Sequence, residues 1–154
     1  KAVLYAASPS AGVFASVDGG RTWEVRSEPV GSFFGRMVVD PVDEAHVFAA
    51  DAASGVAEST DGGRTWRRID SGLQSATWLS RSAQDLRVLV ASGPAGSARS
   101  TDGGRSWSPL LPTGGGALVE VSPGDPGMLL AGTHDGRAVT VTVSRDGGQS
   151  WGGP

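Results

Sequence analysis

The side chains that could do chemistry in this chain are few. There is no cysteine, one tyrosine and two histidines, so thiolate nucleophiles, disulfides and cysteine metal sites are excluded. His46 and His134 lie far apart with no metal-ligand spacing, and Tyr5 sits inside the apolar run Ala2-Val3-Leu4-Tyr5-Ala6-Ala7. Asp51, Asp70, Glu120 and Asp135 show no spacing that suits a pair of hydrolytic carboxylates. What remains suits holding a ligand. Arg36 and Glu120 offer opposite charges, and Trp78 offers a ring on which a sugar or peptide stacks. His134-Asp135-Gly136-Arg137 adds donors and an acceptor, with a histidine that titrates near neutrality; Asp135-Gly136 is equally an ordinary hairpin turn. Phe33-Phe34, beside Gly31 and Gly35, reads as a binding wedge or as a plug between packed elements.

These residues must be placed by a repeat. Ser59-Thr60-Asp61-Gly62-Gly63-Arg64-Thr65-Trp66 has near-copies from Ser16 to Trp23, Ser100 to Trp107 and Ser144 to Trp151. The tryptophans are spaced by 43, 41 and 44 residues (66−23, 107−66, 151−107), a propeller-blade period once strand-like runs fill each unit. No apolar stripe of helical period occurs. Each copy reads as a hairpin. Aspartate is expected at a place that tolerates positive φ, followed by a glycine without a Cβ to clash. Its carboxylate should hold turn N–H groups, serine and threonine should bond across the mouth, and the tryptophan should open the outgoing strand as a buried anchor.

The predicted fold is all-β: a β-propeller or partial β-propeller of about four blades, with four antiparallel strands, A to D, in each. Residues 1–154 form one repeat domain, divided into an incomplete blade at 1–27 (strands B to D), blades at 28–70 and 71–112, and a blade with a truncated last strand at 113–154. The second unit predicts strands at Gly35–Val39, Ala45–Ala50, Gly55–Ser59 and Thr65–Ile69. The third predicts Ala76–Arg81, Leu86–Ser92, Gly96–Ser100 and Ser106–Leu111. The fourth predicts Ala117–Val121, Met128–Thr133 and Ala138–Ser144, then Ser150 onward. Asp40-Pro41-Val42-Asp43 and Ser122-Pro123-Gly124-Asp125-Pro126 read as turns. Arg36, Trp78 and Leu118 then take equivalent places at the start of strand A, with Val38, Ser80 and Glu120 two residues on along the same face. Uncovered strand edges at both ends of an array invite pairing. Flanking blades of a longer chain, assembly of copies into a ring, or closure of a compact four-bladed ring would each cover them.

The pattern S-x-D-G-G-x-[ST]-W resembles the Asp-box, also called the bacterial neuraminidase repeat. It is found in sialidases, sortilin-type receptor ectodomains, some xyloglucan-cleaving glycosidases and photosystem II assembly factors. The residues carrying it are Ser16, Asp18, Gly20 and Trp23; Ser59, Asp61, Gly63 and Trp66; Ser100, Asp102, Gly104 and Trp107; Ser144, Asp146, Gly148 and Trp151. The resemblance implies a propeller with a box at each outer C–D hairpin, remote from the ligand face formed by the B–C loops and D–A connections. A sialidase would also need an arginine cluster and a tyrosine nucleophile with a glutamate partner. Tyr5 lies in an apolar strand, and Arg21, Arg64 and Arg105 belong to boxes, with Gln149 at that place in the fourth. The sequence therefore points away from an enzyme and toward a binding module. The alternatives are a segment of a glycoside-hydrolase propeller or a self-assembling ring.

Lys+Arg 13 against Asp+Glu 16 leaves a net charge of −3, a balance that does not advertise nucleic-acid binding, and no apolar run is long enough for a membrane helix. A protein or glycan ligand is expected, with no nucleic acid, no membrane, no cofactor and no metal. A homo-oligomer, or flanking blades of a longer chain, is the other expected partner. A first residue Lys1 in place of Met is what processing, or trimming of a longer chain, would leave after removing a leader. Absence of cysteine and the habits of the resembling proteins suggest an extracytoplasmic location.

Overall fold

The computed structural model of the chain describes residues 2–28, 34–110, 117–134 and 137–153. Fourteen strands and no helix occur among them. β1 (Leu4–Ser8), β2 (Gly12–Ser16) and β3 (Glu24–Ser27) form the first sheet; β4 (Phe34–Val39), β5 (Val47–Asp51), β6 (Gly55–Ser59) and β7 (Arg67–Ile69) form the second. The third holds β8 (Trp78–Arg81), β9 (Leu89–Gly93), β10 (Gly96–Ser100) and β11 (Ser108–Leu110), and the fourth β12 (Leu118–Ser122), β13 (Asp125–His134) and β14 (Val139–Ser144). Every pairing is antiparallel, and Val143 and Gly152 add one bridge where a further strand would lie. Elements that pack across sheets belong to consecutive blades, so the described residues form an arc of a β-propeller.

The core lies between blades. Each sheet alternates its side chains between two faces, and both faces of the middle blades are buried. Ala49 and Ala57 of the second blade meet Val13, Tyr5 and Ala7 of the first. Phe48, Ala50 and Val56, on the opposite face, meet Leu79, Leu89, Ala91 and Ala98 of the third. Val90 and Leu110 of the third then meet Val119, Val121 and Leu129 of the fourth. Two serines stitch this last junction, Ser80 Oγ accepting from Val121 N–H and Ser92 Oγ from Val119 N–H, both at 3.1 Å.

Several strand bounds differ from expectation. Strand B of the second blade starts at Val47 instead of Ala45, because Asp43 Oδ1 accepts from Ala45 N–H and Asp43 O from His46 N–H, which curls that stretch into a turn. Strand B of the third starts at Leu89 instead of Leu86. The outer strands start at Arg67 and Ser108, one residue beyond each tryptophan, because the box holds Thr65 and Ser106 to its aspartate. In the fourth blade Asp125 and Pro126, expected in a turn, begin β13.

Candidate functional site

The box hairpins are built alike. In the second blade the buried Ser59 Oγ donates to Asp61 Oδ1 at 2.8 Å and accepts from Gly63 N–H at 2.8 Å; Thr65 Oγ1 donates to Asp61 Oδ2 at 2.6 Å. Arg64 N–H and Thr65 N–H both donate to Asp61 Oδ1, and Trp66 Nε1–H donates to Gly63 O at 3.1 Å. The serine and threonine thus bond to the aspartate between them, and not to each other as expected. The positive φ also falls elsewhere than expected: Asp61 does not adopt it, whereas Gly62 and Gly63 do, at 74° and 82°. So many hydrogen bonds to one carboxylate favour its charged form. Bonds from Thr22 and Ser16 hold Asp18, bonds from Thr65 and Ser59 hold Asp61, and bonds from Ser106 and Ser100 hold Asp102, each lowered to about 2; Asp146 is lowered further by Ser150 and Ser144.

Each box also serves its neighbour. Trp66 packs on the junction between the first and second blades, Trp107 on the next, and Trp151 on the third. A Cβ on Gly104 would stand 2.7 Å from Phe48 Cε1, and one on Gly148 would stand 2.2 Å from Leu110 Cδ2. These two glycines therefore supply both the left-handed turn and the close approach to the preceding blade.

At the innermost strands the blades diverge, and Arg36 on β4, Trp78 on β8 and Glu120 on β12 come together. Trp78 Nε1–H donates to Glu120 Oε2 at 2.6 Å. The Arg36 guanidinium carbon lies 4.4 Å from the centre of the Trp78 ring, and Arg36 Nη1 is 3.6 Å from Glu120 Oε2. Three consecutive blades thus contribute one cation, one ring and one anion to a single half-exposed cluster. Arg36 covers one face of the Trp78 ring, so that face is closed to a stacking ligand. Glu120 also borders an apolar groove of about 450 Å³ on the outer face of the fourth blade, which His134 lines as well. Arg137 is exposed on the segment before β14. Asp135 and Phe33 lie outside the described residues.

The remaining chemistry-bearing residues have structural tasks. Asp51 holds its turn through Ala53 N–H and Ser54 Oγ, and Asp70 accepts from Gly72 N–H. Tyr5 Oη donates to Glu44 O at 2.8 Å, and burial, only partly offset by Arg26, raises its pKa. A phenol so placed is a poor nucleophile. Among the described residues no group of three His, Asp or Glu is arranged to hold a metal.

Sequence reasoning missed one charged cluster. His46 Nε2 lies 2.8 Å from Glu58 Oε1, Glu58 also binds Arg67, and His46 Nδ1 lies 3.8 Å from Asp40 Oδ2. Arg81 Nη2 donates to Asp40 Oδ2 at 2.8 Å. Burial would raise the Asp40 pKa, but the Val42 N–H and Arg81 outweigh it and the net shift is downward. The available signal was a departure from the repeat: the residue before the box serine is Ala15, Glu58, Arg99 and Val143 in turn.

The fold and the four hairpins define a class, an Asp-box β-propeller. The family model described as BNR/Asp-box repeat matches residues 57–68 and 98–109. A GH74 xyloglucanase from Xanthomonas campestris superposes with a TM-score of 0.76 at 21% identity, over 97% of this chain and 28% of that one. YCF48 from Cyanidioschyzon merolae superposes at 0.65 with 26% identity, over 82% of this chain and 38% of that one. A structure of YCF48 bound to D1 peptide superposes at 0.59 with 21% identity, over 79% of this chain and 39% of that one. The chain therefore spans less than two fifths of the length of each of these structures. No curated protein matches it in sequence.

Proposed function

We propose that this Asp-box propeller segment is a non-catalytic binding module that takes an extended protein segment at the Arg36–Trp78–Glu120 cluster. The observation that carries the reading is the convergence of these three residues from three consecutive blades at a place where the repeat is not kept. A guanidinium held 3.6 Å from its carboxylate and half exposed can exchange that partner for an acidic side chain, while Glu120, fixed by the Trp78 indole N–H, supplies an acceptor. The protein partner of YCF48, a D1 peptide, favours the same class of ligand. An extracytoplasmic location belongs to this proposal, on the cysteine-free composition and the resemblance.

The test is selection of peptides from a displayed library on the folded chain, followed by titration against Arg36→Ala and Glu120→Gln. Affinity should fall at least tenfold in both variants with the melting temperature kept within a few degrees. Selected peptides that bind both variants as well as the parent would sink the proposal. A glycan in the same place is the competing reading, favoured by the Trp78 ring and the likeness to a xyloglucanase fold. Quenching of tryptophan fluorescence by xyloglucan oligosaccharides, absent in Trp78→Ala, would select it.

A further inference from the structure

The first glycine of each later box is held by a carbonyl of its own blade: Gly62 N–H donates to Ala45 O, Gly103 N–H to Arg87 O and Gly147 N–H to Gly127 O. The carbonyl one residue earlier is Glu44 O, Leu86 O or Pro126 O, and the junctions differ in what reaches it. Between the first and second blades Tyr5 crosses from the first, its Oη donating to Glu44 O at 2.8 Å. Between the third and fourth Arg99 crosses from the third, Nη2 donating to Pro126 O at 2.9 Å and Nη1 to Gly147 O at 3.2 Å. Between the second and third the donor comes from the other side: Arg81, of the later blade, gives its Nε–H to Leu86 O at 2.6 Å. Glu58 stands where Arg99 stands, and a carboxylate has no donor to offer. The place over the box is left open. A Cβ on Gly103 would meet nothing within 4 Å, whereas one on Gly62 would lie 3.4 Å from Tyr5 Oη and one on Gly147 would run into the Arg99 guanidinium.

The space left is a groove of about 510 Å³, lined by Glu58 and Arg67 of the second blade and by Arg81, Arg87 and Arg105 of the third. That is within the range of about 300–1,000 Å³ of small-molecule sites. Its acceptors are used up. Glu58 is taken by His46 and Arg67, Asp40 by Val42 N–H and Arg81, and Asp102 by Ser100 and Ser106. Its donors are not. The Arg81 side chain is only 7% exposed, and its Nη1 is buried without an acceptor. Arg105 is exposed, and its guanidinium is unpaired among the described residues. A buried N–H left unmet is unfavourable, and an oxyanion offers acceptors only. Arg81 reaches the groove from its floor and Arg105 from its rim, an arrangement that suits the diverging oxygens of phosphate or sulfate better than a planar carboxylate. Entry takes movement at the rim, where Arg67 and Arg87 are 74% and 72% exposed and ion pairs so exposed hold weakly.

We propose that this groove binds a phosphate or sulfate group, free or carried as an ester on a small molecule. The group's oxygens accept from Arg81 Nη1 and from the Arg105 guanidinium, over Gly103, and the carrier lies along the rest of the groove. None of Arg36, Trp78 and Glu120 lines it, so the site stands whether or not a peptide binds at the inner strands.

Isothermal titration calorimetry of the folded chain with inorganic phosphate, inorganic sulfate and glucose 6-phosphate, at constant ionic strength in chloride, tests this. At least one should bind saturably. A bare ion that binds as tightly as the ester identifies a free-anion site, and a tighter ester identifies the ester. Arg81→Met and Arg105→Gln should each weaken that binding about fivefold or more. Arg81 also anchors Asp40, so Arg105→Gln, an exposed change, carries the test if Arg81→Met does not fold. Arg64→Ala removes the same charge from the second box and should leave affinity within about twofold. No saturable binding of any of the three ligands, or binding that Arg105→Gln leaves intact, would overturn the proposal. So would an equal loss in Arg64→Ala, since net charge alone would then account for the binding.

Discussion

At the box hairpins the serine hydroxyl meets the aspartate at 2.8 Å in all four blades, and the tryptophan N–H meets its glycine carbonyl at 3.1–3.2 Å. At the inner strands, a few residues away in each repeat, equivalent places hold Arg36, Trp78 and Leu118, and then Val38, Ser80 and Glu120. The hairpin's residues are bonded locally, and in the second to fourth blades its tryptophan and second glycine also pack on the preceding blade. The inner strand needs only a backbone that pairs and one buried face, so its other side chains are free to differ. Divergence inside a repeat is therefore the better guide to a ligand, and sameness the better guide to stability.

Variants can break that division. Trp66→Ala should cost about 3 kcal/mol, the scale of removing a large packed aromatic, measured by urea denaturation. A loss no larger than that of an exposed residue would mean that the junction does not depend on its tryptophan. Ser59→Ala should cost about 2 kcal/mol, since it leaves the buried Gly63 N–H without its acceptor. The box aspartates give a pH signature. Their folded pKa values near 2 lie below the ordinary carboxylate value, so their contribution is fully present above about pH 4. It is lost as pH falls toward 2. Melting temperature should drop across that window, and Asp61→Asn should shallow the drop; a flat profile would contradict the bonding described. Trp78→Phe should cost less than about 1 kcal/mol, the scale of an exposed cation–π contact, while weakening ligand binding. Arg64→Ala should cost less than about 0.5 kcal/mol as an exposed change, in keeping with Gln149 at that place in the fourth box.

The sequence disclosed the all-β class, the blade period and the four hairpins because these rest on local chemistry repeated four times. It also pointed to Arg36, Trp78 and Glu120 as sharing one region, since the repeat aligns their strands. It did not disclose that Arg36 stacks on Trp78, because rotamers are chosen by neighbours on other blades. Strand starts were misjudged where a side chain captured the backbone, as Asp43 does at Ala45 and His46. The Asp40–His46–Glu58–Arg81 cluster stayed hidden because its members come from separate strands and turns of the second blade, with Arg81 added from the third.

The double use of the second box glycine has a consequence for how such a chain changes over time. Gly104 and Gly148 answer to the preceding blade as well as to their own turn, so a unit copied whole arrives with a guest residue on one side and a host surface on the other. Duplication can thus lengthen the array without inventing a contact. A change on the surface of one copy, by contrast, is felt first in the hairpin of the next.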